Sequence, residues 1–178
     1  MYNSYQNCPV FETQNFVLRL VSEKDAEDLL ACYSDPKAQT LFNIDNFPHD
    51  CNFNTIEEMQ ECIKFWLSEY SQEAYIRFAV VDKLLNKAVG TIEMFGMIGQ
   101  YKTDVGILRI DIASKYETKM ILRELFSVCI ENFYSLFEVS GIATKAVSHA
   151  ASRIGVLNEL GFQAGIHNGR GDYYIRSK

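Results

Sequence analysis

Two carboxylates lie within segments whose apolar residues are typical of β-strands. Glu93 belongs to residues 88–95, and Asp111 stands between Ile110 and Ile112. A carboxylate enclosed by apolar side chains has a raised pKa, which suits a general base that accepts a proton from an amine. Each carboxylate has a second interpretation, because alternate residues of a strand point to opposite faces and one of those faces can meet solvent. Both are predicted here as catalytic candidates.

The histidines and cysteines offer one further candidate and no metal site. His149 stands just before a predicted helix and is interpreted either as a proton relay or as a helix-start residue without chemistry. His49 and His167 are isolated. The three histidines and five cysteines lack the spacing of metal ligands, and no CxxC pair exists. The odd cysteine count predicts reduced thiols in a cytoplasmic protein.

Charge and hydropathy disfavour two classes of protein, those that bind nucleic acid and those that span a membrane. The 178 residues carry a net charge of −6. Residues 1–89 hold 14 acidic and 7 basic side chains (−7), and residues 90–178 hold 9 and 10 (+1). This balance disfavours nucleic-acid binding, which depends on Lys and Arg. It is interpreted either as a solvated surface that keeps the protein soluble or as a charge suited to an amine substrate. No apolar run reaches the roughly 18 residues of a membrane span, and the polar residues 1–7 do not resemble a signal peptide.

Hydrophobic periodicity predicts the elements that position these residues. Thr55 with Glu58 forms a capping box before an apolar stripe at helical spacing, and Ser22 with Asp25 precedes another. The pair Asp35-Pro36 is expected to end the first helix. Further helices are predicted over residues 117–137 and 150–160, the second ended by Gly161. Strands are predicted at residues 16–20, 75–81, 88–95, 105–112 and 142–146, followed by a hairpin about Asn168-Gly169. A loop is expected over residues 43–54.

The element order is therefore β-α-α-β-β-β-α-β-α-β-β within a single domain, residues 1–178. The strand, long helix and strand in the middle imply one parallel pair, and the remaining strands are antiparallel. The sequence predicts a mixed sheet covered by helices on both faces.

That order resembles the GNAT acetyltransferase superfamily. Local motifs resemble its branch that acetylates the N-terminal amines of ribosomal proteins, together with related small-molecule acetyltransferases. The motifs, in order, are Phe11-Glu12-Thr13 with Leu18-Arg19-Leu20, Ser34-Asp35-Pro36, Val89-Gly90-Thr91-Ile92-Glu93, Ala151-Ser152-Arg153 and Leu160-Gly161-Phe162. The resemblance covers about residues 10–177. It implies an α/β (α+β) GNAT fold: a mixed, mostly antiparallel seven-stranded sheet whose central parallel strands splay apart.

The resemblance also implies where acetyl-CoA binds as co-substrate. Its pantetheine arm would lie between the parallel strands and pair with the backbone near Ile110 and Ile112. Its pyrophosphate would lie on the amides that begin the long helix, since a helix N-terminus offers unpaired donors. Those residues are Thr118, Lys119, Met120, Ile121 and Leu122. His149 stands where many relatives carry an asparagine that contacts pantetheine.

Catalytic roles follow from the same resemblance. Glu93 lies on a strand expected to face the substrate cleft, where it would act as base directly or through water. Ser152 matches a serine that approaches the CoA sulfur and donates a hydrogen bond; it is otherwise a small residue tolerated in a helix. Arg153 is expected to pack along the helix surface or to contact a phosphate of the nucleotide.

The phosphate loop departs from the family's pattern of Arg or Gln, two variable residues, Gly, one variable residue, then Gly or Ala. Here Glu117, Met120 and Leu122 stand at those positions. The side chains of residues 120 and 122 are expected to occupy space that the phosphates need. A Glu117 charge about 4 Å from a phosphate would repel it by roughly 4 kcal/mol at an effective dielectric constant near 20, partly offset by Lys119. Glu117 is also interpreted as an acid that complements the helix dipole.

The sequence thus predicts a cytoplasmic enzyme, monomeric or homodimeric. It would transfer an acetyl group from acetyl-CoA to a primary amine, either of a small molecule or of a protein N-terminus. The alternative is an inactive GNAT-fold module that binds a ligand or a protein and has lost tight CoA binding.

Overall fold

The computed structural model describes residues 3–42, 53–167 and 169–178, and these residues form a sheet of eight strands in the order β1-β2-β3-β4-β5-β6-β8-β7. The strands are β1 (Phe11–Glu12), β2 (Phe16–Leu20), β3 (Ile76–Asp82), β4 (Lys87–Phe95), β5 (Val105–Ile112), β6 (Gly141–Lys145), β7 (Gln163–His167) and β8 (Arg170–Ser177). The eighth strand is β1, a two-residue edge strand that pairs with β2. The seven others are the predicted ones.

The described residues form five α-helices between the strands: α1 (Ala26–Tyr33), α2 (Pro36–Gln39), α3 (Ile56–Ser71), α4 (Lys119–Leu136) and α5 (Ala151–Glu159). The predicted capping box at the start of α3 is present, and the Thr55 hydroxyl accepts from the Glu58 amide. Asp35-Pro36 does more than end α1. The Asp35 carboxylate accepts from the Lys37 amide and so begins the short helix α2.

Strands β2 to β5 form an antiparallel meander, and β5 pairs in parallel with β6 across the α4 connection. Strand β8 then pairs antiparallel with both β6 and β7. Among the described strands, β5 and β6 are the one parallel pair. The mixed, mostly antiparallel sheet expected from the sequence is confirmed.

Apolar side chains cover both faces of the sheet. Helices α4 and α5 pack on one face, where Leu108, Ile110 and Ile112 of β5 join their core. Helices α1 and α3 pack on the other face, which receives the intervening residues of β5, Arg109 and Asp111. Because strand side chains alternate, one strand presents apolar residues to one layer and charged residues to the other.

The predicted glycine cap ends α5 as expected, and two other sequence features fall outside the described residues. Gly161 adopts φ 84°, the left-handed conformation that follows α5, and Phe162 packs into the core. Asn168 of the predicted hairpin turn and residues 43–52 of the predicted loop, including His49, are not described. Within the described ranges, no helix is long and apolar enough to cross a membrane, and no cluster of three metal-ligating side chains occurs.

Candidate active site

Strands β5 and β6 separate partway along their length. Their pairing runs from Val105 opposite Gly141 to Leu108 opposite Thr144, whereas β5 continues to Ile112. The last four residues of β5 therefore have no β6 partner, since β6 ends at Lys145, and this agrees with the predicted splay of the parallel strands. Alternate residues of a strand direct their peptide groups to the same side, so Ile110 and Ile112 present theirs to this opening. We call the space between the end of β5, β6 and α5 the donor gap.

Arg153 of α5 crosses the donor gap. Its Nη1 donates to the Ile110 carbonyl oxygen at 2.9 Å. Its Nε and Nη2 donate to the two carboxylate oxygens of Glu117 at 2.8 and 2.9 Å. The side chains of Arg153 and Glu117 are only 1% and 8% exposed, so this is a buried, bidentate ion pair. One guanidinium thus joins β5, the segment before α4, and α5.

This position corrects the expectation that Arg153 packs along the helix surface. Arg153 lies three and four residues before Val156 and Leu157, which are the buried positions of α5. Helical spacing therefore places it on the buried face, and the unusual acid at residue 117 supplies its partner. Ser152, the predicted catalytic residue, is partly buried in the first turn of α5 beside Arg153.

The start of α4 is arranged differently from the expectation for Met120 and Leu122. Leu122 is fully buried in the core, and Met120 is 69% exposed. Leu122 points into the core, where it packs α4 against the sheet. The side chains that lie in the donor gap are instead those of Arg153 and Glu117. Ile121 is partly buried beside Leu122.

Thr118 caps α4 and leaves amides available at its first turn. The Thr118 hydroxyl accepts from the Ile121 amide at 3.5 Å, and its carbonyl accepts from the Leu122 amide at 2.9 Å. The amides of Lys119 and Met120 precede the first residue with a helical acceptor, as in any α-helix. The Lys119 side chain extends over α5, where its Cε is 3.4 Å from the position of a Cβ built on Gly155. These groups are able to hold an anion.

The opposite face of the same strands carries a buried polar network. Arg77, Glu93 and Arg109 stand opposite one another on β3, β4 and β5. Arg77 donates to Glu93, and Arg109 donates to Asp111 at 2.6 Å. The Arg77 guanidinium also lies 4.1 Å from the centroid of the Trp66 ring, a cation–π contact with α3. Two charged pairs, neutral in sum, therefore lie on the face covered by α1 and α3.

Tyr33 of α1 joins the two pairs. Its hydroxyl lies 2.8 Å from Thr91 Oγ1 and donates to Asp111 Oδ2 at 3.3 Å. Arg77 Nη1 donates to the Tyr33 and Thr91 oxygens at 3.3 and 3.0 Å. Burial raises the pKa of Tyr33 well above its usual value, and the nearby Asp111 charge adds to this effect. Tyr33 therefore acts as a neutral hydrogen-bond donor.

The two predicted carboxylates differ in access. The Glu93 side chain is 14% exposed and the Asp111 side chain is 0% exposed. The solvent-facing interpretation of Asp111 is thereby wrong, because α1 covers it. Arg77, Arg109 and Tyr33 were not predicted as functional residues from the sequence. The two arginines could have been recognised from the sequence, because each lies within an otherwise apolar strand. Arg109 shares strand β5 with Asp111, and Arg77 lies on β3, which pairs with the strand of Glu93.

His149 lies in the connection between β6 and α5, two residues before α5. The Nε2 of this exposed residue is 3.1 Å from the Thr40 carbonyl oxygen, just beyond α2. A carbonyl only accepts, so this bond requires the proton on Nε2. His149 thus connects the α2 side of the sheet to the start of α5, and its predicted contact with pantetheine stays a prediction.

The chain is similar to acetyltransferases in sequence. A family model described as an acetyltransferase (GNAT) domain matches residues 15–163. The Bacillus subtilis (strain 168) protein YoaA, described as an uncharacterized N-acetyltransferase, is 20% identical over 156 residues, which cover 87% of this chain and 83% of that protein.

Solved structures share the fold. The ribosomal-protein-S5-alanine acetyltransferase from Vibrio fischeri matches with a TM-score of 0.71 at 17% identity, over 95% of this chain and 96% of that one. RimL, a ribosomal L7/L12 alpha-N-protein acetyltransferase solved in complex with coenzyme A, matches with a TM-score of 0.71 at 11% identity, over 95% of this chain and 98% of that one.

Proposed function

The chain belongs to the acetyltransferase (GNAT) family of acetyl-CoA-dependent enzymes, and we propose that it transfers an acetyl group from acetyl-CoA to a primary amine. The amine belongs to a small molecule or to the N-terminus of a protein, as in the ribosomal-protein acetyltransferases that share its fold. The observation that carries the proposal is the separation of β5 and β6 after Leu108, which leaves a strand edge for the donor. Cytoplasmic location and a monomeric or homodimeric state remain predictions.

The donor would be held at two places. The peptide groups of Ile110 and Ile112 would pair with its amide-containing arm, and the first amides of α4, with Lys119, would hold its phosphates. The α4 end fits this role because the amides of Lys119 and Met120 precede the first residue with a helical acceptor. The Ile110 carbonyl fits only when Arg153 has moved, since Arg153 occupies that acceptor. His149 would contact the arm.

Catalysis would use the face opposite α4 and α5. Acetyl-CoA supplies the electrophilic thioester carbonyl when bound. Glu93 would accept the proton of the attacking amine, directly or through water, because it is the more accessible of the two carboxylates. Asp111 would hold Arg109 and Tyr33 in place beside it. Backbone amides near Ile110 and Ile112 would stabilise the oxyanion, and Ser152 would donate to the departing thiolate.

A transfer assay tests this function. The protein is incubated with acetyl-CoA and a panel of primary amines and N-terminal peptides, and acetylated products are identified by mass spectrometry together with released thiol. The proposal expects a mass increase of one acetyl group on an amine nitrogen, formed about 100-fold more slowly by the Glu93→Gln variant. Hydrolysis of acetyl-CoA without any acylated amine, or no turnover at all, would contradict it.

A second candidate function is a binding module that has lost catalysis. The buried Arg153–Glu117 pair favours it, since the pair closes the donor gap from within. The same assay separates the two candidates, because a module would leave acetyl-CoA intact with every acceptor.

A further inference from the structure

We propose that Arg153 determines the affinity of this protein for its acyl-CoA donor, by closing the donor gap until it is displaced. This inference rests on the proposed function, since it concerns the same gap. The buried Arg153 guanidinium would thus compete with the donor and lower its affinity.

The first step is competition for one acceptor. A donor that adds to the free edge of β5 must hydrogen bond to its outward-facing peptide groups, as a strand would. The Ile110 carbonyl is one of those groups, and Arg153 Nη1 already donates to it at 2.9 Å. The Arg153 side chain is 1% exposed and fills the space beside that carbonyl. A donor arm and this guanidinium therefore cannot occupy the position together.

The second step is the stability of the closed arrangement. Arg153 makes two further bonds to Glu117, at 2.8 and 2.9 Å, and both side chains are buried. A buried ion pair is tightly coupled, because removing one partner leaves the other charge without compensation. The gap therefore opens only when Arg153 and Glu117 are separated or move together.

The third step is the closeness of Glu117 to the predicted phosphate site. Glu117 lies two residues before α4, whose first amides would hold the donor's phosphates. The carboxylate that keeps Arg153 in the gap therefore lies next to the predicted anion site. A bound phosphate group would repel the negatively charged Glu117 carboxylate, and it would offer the Arg153 guanidinium another anionic partner. Donor binding and release of Arg153 are accordingly linked events.

The test is calorimetric titration of acetyl-CoA into the wild-type protein and into Arg153→Ala/Glu117→Gln. The double change removes the guanidinium and neutralises the acid, so no buried charge is left without a partner. The matched control is Arg123→Ala/Glu159→Gln. That pair joins α4 to α5 directly, and its side chains are 52% and 44% exposed rather than buried.

The expected result is a dissociation constant at least tenfold lower for the gap variant than for the wild type, with the control unchanged. Equal binding by wild type and gap variant would overturn the role of Arg153 and leave the proposed function standing. Weaker binding by the gap variant would also overturn it, because Arg153 would then be a donor contact. Absence of binding in every protein at millimolar acetyl-CoA would overturn both proposals.

Circular dichroism and thermal denaturation establish that each variant is folded before titration. If Arg153→Ala/Glu117→Gln is unfolded, Arg153→Met/Glu117→Gln replaces it, because a buried pair exchanged for groups of similar volume is often tolerated. The methionine removes the hydrogen bond to the Ile110 carbonyl, so the same tenfold criterion applies.

Discussion

At the scale of single residues, Glu93 and Asp111 carry the same charge on neighbouring strands but have different access. The Glu93 carboxylate is partly exposed and the Asp111 carboxylate is enclosed. We expect Glu93→Gln to lower kcat about 100-fold, at the low end of what a general base contributes, with the KM for acetyl-CoA unchanged. The amide keeps an acceptor oxygen for Arg77. Steady-state kinetics well below the melting temperature measures the change.

Asp111→Asn is the matched control, because it makes the same chemical change on the enclosed carboxylate. Its effect should appear as a loss of stability of roughly 3 kcal/mol in urea denaturation, from weakening a buried ion pair with Arg109. Its effect on kcat should be smaller than that of Glu93→Gln. A Glu93→Gln enzyme with kcat within threefold of the wild type would contradict the assignment of the base.

Residue types alone predicted part of the buried polar network. Glu93 and Asp111 were recognisable because carboxylates within apolar strands are uncommon and need a partner. Their partners Arg77, Arg109 and Tyr33 were not, since cross-strand register and the placement of α1 over the sheet are tertiary facts. Arg153 shows the same limit. Its spacing from Val156 and Leu157 places it on the buried face of α5, but only the tertiary fold brings Glu117 close enough to pair with it.

At the scale of elements, Gly90 fixes how closely β4 approaches β5. A Cβ added at Gly90 would lie 2.2 Å from the Asp111 carbonyl oxygen and 2.6 Å from Ile112 Cα. These are backbone atoms that cannot turn away. We expect Gly90→Ala to lower the free energy of unfolding by roughly 2–3 kcal/mol through overpacking, measured by urea denaturation. It should also weaken donor binding, because β5 forms one side of the donor gap.

Gly171→Ala in β8 provides the control. A Cβ at Gly171 meets nothing within 4 Å, so the same change should leave stability nearly unaffected. Equal free energies of unfolding for the two variants would show that β5 can shift away from residue 90 without loss of stability. That result would contradict the claim that Gly90 sets the distance between β4 and β5.

Elements were predicted better than contacts. The capping box of Thr55 and Glu58 and the glycine after α5 act locally, within a few residues, so the sequence predicts them directly. Strand β1 was missed as a separate element because two residues carry no periodicity. The start of α4 was predicted two residues early, since Thr118 and not Glu117 carries the cap.

At the scale of the whole molecule, carboxylates join distant parts of the chain. Burial disfavours the charged form of Glu124, but hydrogen bonds from Thr13 and Asn15 outweigh it and lower its pKa. Burial likewise opposes ionisation of Asp35, and hydrogen bonds from Ser114 and from the Lys37 and Ala38 amides outweigh it and lower its pKa. These contacts hold the turn between β1 and β2 to α4, and the start of α2 to the segment before α4.

The sign of the pH dependence follows. A folded pKa below the unfolded value means that the folded state binds fewer protons, so the stabilisation is present above about pH 4 and is lost as pH falls through the folded pKa. We expect the free energy of unfolding to decrease from pH 5 to pH 2.5, and less steeply in Glu124→Gln. A Glu124→Gln slope equal to that of the wild type would contradict this account.

The most direct test of the whole account is calorimetric titration of the wild-type protein with acetyl-CoA, paired with thermal denaturation at the same ligand concentrations. The proposed donor gap predicts saturable heat at a single site and a melting temperature that rises with acetyl-CoA, because only the folded chain has the site. Absence of both heat and thermal shift at millimolar acetyl-CoA would contradict the assignment of this chain as an active acetyltransferase.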